Sequence, residues 1–363
     1  MGVERIRFVL SRQLEELPVD RQQWNALAAE TAGASVFQTY EWFESWWTAL
    51  GGKNELCVVT MWDSEALVGI APLMIERHRG LRYLEFVGSP NADYQDFILG
   101  SQPGEVLAAL ATFLASQRRA WDMMALRNLP TESITRRKFP GLLNATGIDT
   151  TDNELIACPT LEIATQPDEV RRRLNAYSFR RRVRQLSGLG ELQYTRLSAT
   201  EELDHYLPLF FAQYIEQRTG SRAAKFFSRP DAREFYSTLA RSMLRAGWLH
   251  FSVLKCGGRP VSFHFGFEYG GRLYWYKPCY DPAVGRMSPG KVLLSHLIRD
   301  ALERNLDELD FTVGAEPFKY RYTRTQRTNV TLRAFSGRWL YRTFRGATWA
   351  RRSLSGWSRG VPR

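Results

Sequence analysis

The chain has 363 residues, 44% of them hydrophobic and 24% charged, with a formal net charge of +11. That length can bury one large core or two ordinary ones. No stretch approaches the roughly 18–20 uninterrupted apolar residues of a membrane span, and the opening MGVERIRFVLSRQLEEL is charged throughout, so a cytoplasmic protein is expected.

The charge is uneven. The last acidic residue is Glu316, and residues 317–363 carry Lys319 and eleven arginines, which leaves the rest of the chain close to neutral. The four cysteines (Cys57, Cys158, Cys256, Cys279) are scattered, without a CxxC or a nearby histidine pair. A disulfide framework and a metal site are therefore not expected, and each cysteine reads as a small buried hydrophobe. Cys279 differs in sitting in a loop that other features mark as functional, where a nucleophilic role is the alternative.

In chain order, residues 20–31 and 39–50 read as helices opened by Asp20 and Thr39. Strands follow at 55–62, 66–76 and 82–88, joined by hairpin-length turns. A loop with Pro90, Asn91 and Asp93 leads to a strand at 96–99, a helix at 104–118 and an apolar strand at 121–126. The second half repeats this order. Helices at 201–218 and 231–246 precede strands at 249–256, 259–269 and 272–276, with Gly-Gly turns between the strands. Then come a loop, a helix at 289–304 with apolar residues at helical spacing, and a strand at 308–313. The fold class expected is α/β (α+β): two tandem domains with mixed, mostly antiparallel sheets flanked by helices. Two unrelated α/β layers are the simpler alternative.

The expected boundaries are a first domain at 1–165, a basic helical connector at 166–190, a second domain at 191–328 and a basic aromatic tail at 329–363. The connector holds seven arginines between 171 and 184 and reads as one helix, either a solvated link or a surface for an anionic ligand. The tail has six aromatics among eight arginines and no acid. It suits a frayed end, an anionic membrane surface (here the inner membrane) or nucleic acid, in that order.

The stretch that organises the second half is 274–320. After the run Tyr274-Trp275-Tyr276, the sequence Ser288-Pro289-Gly290-Lys291 opens the 289–304 helix. Serine as cap, proline in the first turn and glycine where a ligand nears the backbone make a helix N-terminus able to hold a pyrophosphate. An ordinary helix cap is the plainer reading.

Together, Tyr276-Lys-Pro-Cys-Tyr280-Asp281, Ser288-Pro289-Gly290-Lys291, Leu309-Asp310-Phe311 and Gly314-x-Glu316-x-x-Lys319-Tyr320 resemble the acetyltransferase domain of the CelD/BcsL-like group of the GNAT superfamily, also labelled BioF2-like. Phe37-Gln38-Thr39-Tyr40-Glu41-Trp42-Phe43 resembles that family's opening, so the likeness spans most of 36–325. It implies tandem GNAT-like domains related to the FemAB aminoacyltransferases, acyl-CoA as donor (acetyl-CoA first) and a role in polysaccharide production. The family's acyl-CoA loop, Arg/Gln-x-x-Gly-x-Gly/Ala, is represented here by Arg286-Met-Ser-Pro-Gly290.

Acyl transfer from a thioester to an amine needs N–H donors for the pyrophosphate and carbonyl, a base for the amine proton and an acid for the thiolate. Arg286, Ser288, Pro289, Gly290 and Lys291 are the expected cofactor cradle. The base candidates are His264, in the middle of a strand, and Asp310 and Glu316, near the last strand's end. His264 as a hydrogen-bonded core histidine and Glu316–Lys319 as a surface ion pair are the alternatives. Lys319 is grouped with the catalytic residues through the shared motif, Tyr280 is the acid candidate, and Asp281 shapes the loop beside the substrate or contacts it. In the first half Asn91, Asp93, Tyr94 and the nearby Asp96 are acceptor-binding candidates, and no cofactor is expected there. The acceptor is expected to be a small polar amine or amino-sugar glycan precursor. The rivals are transfer of an aminoacyl group from tRNA and a non-catalytic partner of a membrane-bound polysaccharide synthase.

Overall fold

Each half of the chain is built on three antiparallel strands joined by tight turns, followed by a helix and a strand that returns parallel to the third. In the computed structural model, residues 6–152, 155–175 and 177–345 are described. The elements begin with β1 (Ile6–Ser11), α1 (Arg21–Glu30), α2 (Tyr40–Trp46), β2 (Glu55–Asp63), β3 (Ala66–His78) and β4 (Leu81–Phe86). Next are β5 (Ile98–Leu99), α3 (Pro103–Ser116), β6 (Met123–Pro130), α4 (Ile134–Ala145), β7 (Asp149–Asp152) and β8 (Ile156–Glu162). Then come α5 (Pro167–Leu174), α6 (Tyr177–Ser187), β9 (Leu192–Arg196), α7 (Thr200–Gln217), α8 (Arg222–Phe227) and α9 (Pro230–Arg245). The chain continues with β10 (Leu249–Cys256), β11 (Arg259–Tyr269), β12 (Arg272–Tyr280), α10 (Pro289–Glu303), β13 (Glu308–Asp310) and β14 (Gln326–Phe335).

Two units result, and neither is a continuous piece of chain. The first holds residues up to 34, 53–155 and 329 onward; the second holds 35–52 and 156–328. This differs from the expected boundaries at three places. Residues 35–52 join the second unit because Phe37 and Trp42 pack edge-to-face on its aromatic core, against Phe267 and Tyr276. The 166–190 connector is two helices rather than one, and it is part of the second unit: Val170, Leu174 and Leu186 enter its core. The tail is not a frayed end at its start. Val330, Leu332, Ala334 and Phe335 are buried in β14, which pairs with β6 and β7 of the first unit.

The first sheet runs β1-β2-β3-β4-β6-β14-β7 with β5 beside β3, and β4–β6 is its parallel pair. The second runs β8-β13-β12-β11-β10-β9, and β12–β13 is its parallel pair. Both sheets are mixed, mostly antiparallel and flanked by helices. In the second unit, Gly257-Gly258 and Gly270-Gly271 adopt φ of 55° and 78°, and 55° and 74°. Positive φ at both central residues gives the I′ turn that closes a two-residue hairpin.

Alternation along β11 sorts the second core. Phe263, Phe265 and Phe267 join the aromatic layer with Phe210, Phe251 and Tyr236. On the opposite face, Leu273, Trp275 and Leu309 pack with Val292, Leu293 and Leu297 of α10. All four cysteines are free and buried. Among the described residues, no helix is long and apolar enough to cross a membrane, and no cluster of side chains would hold a metal ion.

Candidate functional site

β12 and β13 run parallel for three residue pairs, Arg272↔Glu308 to Tyr274↔Asp310, and then part. β12 continues to Tyr280 on the support of β11, while the chain after β13 follows β8: Phe311 N–H donates to Pro159 O (2.9 Å) and Gly314 N–H to Ala157 O (2.9 Å). At the vertex Thr312 takes φ of 57°, its N–H donates to Asp310 Oδ1 (2.7 Å) and its hydroxyl donates to the Trp275 carbonyl (3.4 Å). The strand expected at 308–313 stops at Asp310, where the left-handed Thr312 turns the chain away from β12. The result is a wedge between 275–280 and 311–316.

The far end of the β12 edge is tied down by α7. Gln217 Oε1 accepts from the Tyr280 N–H (3.2 Å), and Arg218 Nη2 donates to the Pro278 carbonyl (2.8 Å) while stacking on Tyr214. Asp281 accepts from Ala283 N–H (2.8 Å), the Asx-turn geometry that shapes the following loop. The Tyr280 ring lies against that loop, so that a Cβ at Gly285 or Gly290 would meet it at 3.2 or 3.4 Å.

That loop delivers the N-terminus of α10. Ser288 has φ of 57°, so its side chain makes no capping bond, contrary to the expectation of a serine cap. Pro289 carries no N–H, and those of Lys291 and Val292 turn back to the Ser288 carbonyl (3.0 and 3.3 Å), which leaves the Gly290 N–H at the helix end. Cations gather at this point. Partial burial, followed by the Arg182 guanidinium of α6 and that of Arg321, lowers the Lys291 ammonium from its ordinary range. Arg286 is exposed on the preceding loop. Tyr322, bonded to Ser295 of α10, links this end to a polar cavity of about 420 Å³ lined by Glu162, Glu169, Arg173, Tyr322 and Arg324.

Lys319 is 3% exposed, and its Nζ donates to the carbonyls of Thr312 (3.4 Å), Val313 (3.1 Å) and Gly314 (3.0 Å) and pairs with Glu316 Oε2 at 2.8 Å. The Gly-x-Glu-x-x-Lys sequence is thus a clamp on the turn that opens the wedge. Gly314 is required twice over: its φ is 121°, and a Cβ would meet the Glu316 carboxylate at 2.5 Å. Glu316 itself stays half-exposed.

The other base candidates lie inside. Asp310 is 1% exposed and sits in a network in which Glu308 accepts two bonds from Arg327 (2.7 and 2.6 Å) and pairs with Arg272 (3.0 Å). His264 has no exposed surface. Its Nε2 lies 3.1 Å from the Tyr274 carbonyl, its ring stacks on Trp275, and burial, then the neighbouring His250, hold its pKa well below the usual range. This is the setting of a core histidine. Cys279 is likewise buried, with its thiol pushed up by desolvation, which removes it as a nucleophile.

These histidines predict an acid-sensitive fold. His250, also fully buried with its pKa lowered mainly by desolvation, bonds Asp300 at 3.3 Å. In the folded chain burial disfavours the charged form of both rings, whereas the unfolded chain protonates them below about pH 6.5. Stability should therefore fall as pH drops through 6.5, by at most about 1.4 kcal/mol per pH unit for each ring. Urea midpoints between pH 7 and 5 would check this, and His264→Gln should flatten the slope without abolishing it, because burial lowers His250 and also His296, the latter to about 4.

The first unit repeats the frame with a different filling. Gln102-Pro103-Gly104 opens α3 with Gln102 at φ of 54°, as Ser288-Pro289-Gly290 opens α10, and Asn128 (φ 51°) stands where Thr312 does. Its own loop spans the gap beyond the parallel pair: Gln95 N–H donates to Asn128 O (3.0 Å) and Asn128 Nδ2 to Ala92 O (2.7 Å). Asn91 and Asp93 are half-buried in this loop, with the Asp93 carbonyl accepting from Asn329 (2.9 Å), and Tyr94 is buried. Nearby, burial pushes Asp96 up to about 6 against Thr135 and Ser133.

Residues 162–320 match the acetyltransferase (GNAT) domain family. The fold is similar to that of FemX (12% identity, 87% of this chain and 96% of that chain, TM-score 0.60). It is also similar to L-PGS from Bacillus licheniformis (11% identity, 88% and 92%, TM-score 0.51) and to a tandem GNAT protein from the clavulanic acid biosynthesis pathway (13% identity, 92% and 99%, TM-score 0.50). No curated protein matches it in sequence. The second unit thus carries the match to the GNAT acetyltransferase domain, and the chain as a whole shares the fold of these structures.

Proposed function

We propose that the chain transfers an acyl group from acyl-CoA to a polar amine, with an amino sugar or related glycan precursor as the acceptor class. What supports this reading is the wedge between 275–280 and 311–316 together with the α10 N-terminus, which has no side-chain capping bond and where Lys291, Arg182 and Arg321 gather. The donor would supply an activated thioester carbonyl. Its pyrophosphate suits the first turn at Gly290, with Lys291, Arg321 and Arg286 adding positive charge. Glu316 is the half-exposed carboxylate beside the wedge and takes the amine proton; Tyr280 gives a proton to the departing sulfur.

A second reading, aminoacyl transfer from tRNA, draws on the arginines of α5 and α6, one of which, Arg182, joins the cluster at Lys291. Calorimetric titration of acetyl-CoA and longer acyl-CoAs separates the two. We expect micromolar binding to the unchanged protein, weakening about 10-fold or more in Arg321→Glu and disappearing in Gly290→Trp, whose indole would displace the Tyr280 ring. No binding of any acyl-CoA, with salt-sensitive binding of aminoacyl-tRNA, would transfer the assignment to the second reading.

A further inference from the structure

Beyond β14 the chain turns into a helix over 338–345. Tyr341 and Phe344 fasten it to the first unit by packing on Phe335 at 5.5 and 5.2 Å. Arg338, Arg342 and Arg345 recur at i, i+4 and i+7 on its exposed surface and line an open groove of about 450 Å³ in which Asp149 is the acidic residue. Beside them Trp339 is 65% exposed, equal to the most exposed large hydrophobic side chain among the described residues. The sequence carries the pattern on. Residues 346–363 add Trp349, Trp357 and four arginines without an acid.

We infer that this surface of the first unit docks on an anionic lipid membrane. Arginine reaches lipid phosphates with paired N–H donors, and tryptophan is the side chain that settles at the level of the headgroups, with its ring towards the acyl chains and its N–H in the polar layer. A folded helix pinned on one side by Tyr341 and Phe344 presents both at one surface, and the eighteen residues beyond it supply further charge of the same sign. The attraction is electrostatic in origin, so it rises with the proportion of anionic lipid and falls with salt. Nucleic acid would also attract the arginines, but three tryptophans within nineteen residues fit a bilayer interface better than a phosphate backbone.

The test is sedimentation of the full chain with vesicles of phosphatidylcholine alone or with about one third phosphatidylglycerol. Comparison is made with an Arg338→Glu/Arg342→Glu/Arg345→Glu variant and with Trp339→Ala. All four positions are exposed, so both variants should fold. We expect partitioning at least about 10-fold stronger on the anionic vesicles, reduced about 10-fold or more by the charge reversals and several-fold by Trp339→Ala. Acyl-CoA binding should be unchanged in both. Equal partitioning on the two vesicle types, indifference to the charge reversals, or tighter binding to a single-stranded RNA oligonucleotide than to anionic vesicles would each overturn the inference.

Discussion

Lys319→Met is expected to cost the second unit about 3–5 kcal/mol, whereas Glu316→Gln, three residues away, should cost less than about 1 kcal/mol. The ammonium is buried and satisfies three successive carbonyls, those of Thr312, Val313 and Gly314. Methionine fills the volume but donates nothing, so the carbonyls lose their donor where water has little access. The Glu316 side chain is 55% exposed and keeps its hydration without the pair. Activity should show the reverse ranking. Removing a group that accepts a proton in acyl transfer costs about 10²–10⁴-fold in rate, so Glu316→Gln should stay folded and lose turnover. Urea unfolding alongside single-turnover acyl transfer reads both quantities. A wild-type midpoint for Lys319→Met would refute the clamp, and a wild-type rate for Glu316→Gln would remove Glu316 as the base.

The split between the two residues shows what the sequence made legible. The elements with strong periodicity or turn chemistry are where they were expected: the meanders 55–86 and 249–280, the Gly-Gly hairpins and the amphipathic α10. The repeat was legible as element order, and the structure gives it a backbone signature in the matched left-handed residues, Gln102 with Ser288 and Asn128 with Thr312. Local pattern does not report burial of long polar side chains. Glu316 and Lys319 read as catalytic candidates or, alternatively, as a surface pair, because spacing is all a sequence offers, yet the wedge turn folds Lys319 inward. His264 alternates with Phe263 and Phe265, and alternation alone does not distinguish a solvated face from one covered by α10. Arg182, Arg321 and Tyr322 were missed as companions of Lys291 because they come together through tertiary packing. The arginine run at 171–184 was the available hint. β14 was hidden by its charge: its arginines drew attention while the alternation of Val330, Leu332 and Ala334 marked a strand.

The assignment of 35–52 to the second unit carries the other large effect. Trp42→Ala should destabilise that unit by about 4 kcal/mol, since a fully buried indole leaves a cavity and loses its ring contacts together. Trp42 has no exposed surface, and it meets Phe37, Phe235, Tyr276 and Phe267 edge-to-face at centroid distances of 4.6, 5.5, 5.8 and 5.9 Å. Hydrogen exchange locates the damage: amides of β10–β12 should lose protection while those of β2 and β3, which belong to the separate core around Met61, Ala71 and Leu73, keep theirs. Equal loss in both sheets would refute this placement of the segment. The functional consequence follows from Tyr276. It is a ring partner of Trp42 and lies on the stretch of β12 that forms one edge of the wedge, so loosening the α2 contact should weaken acyl-CoA binding although Trp42 touches none of the cationic residues at α10. A variant that keeps acyl-CoA affinity while losing stability would mean that the wedge is held from the β11 and α7 side alone.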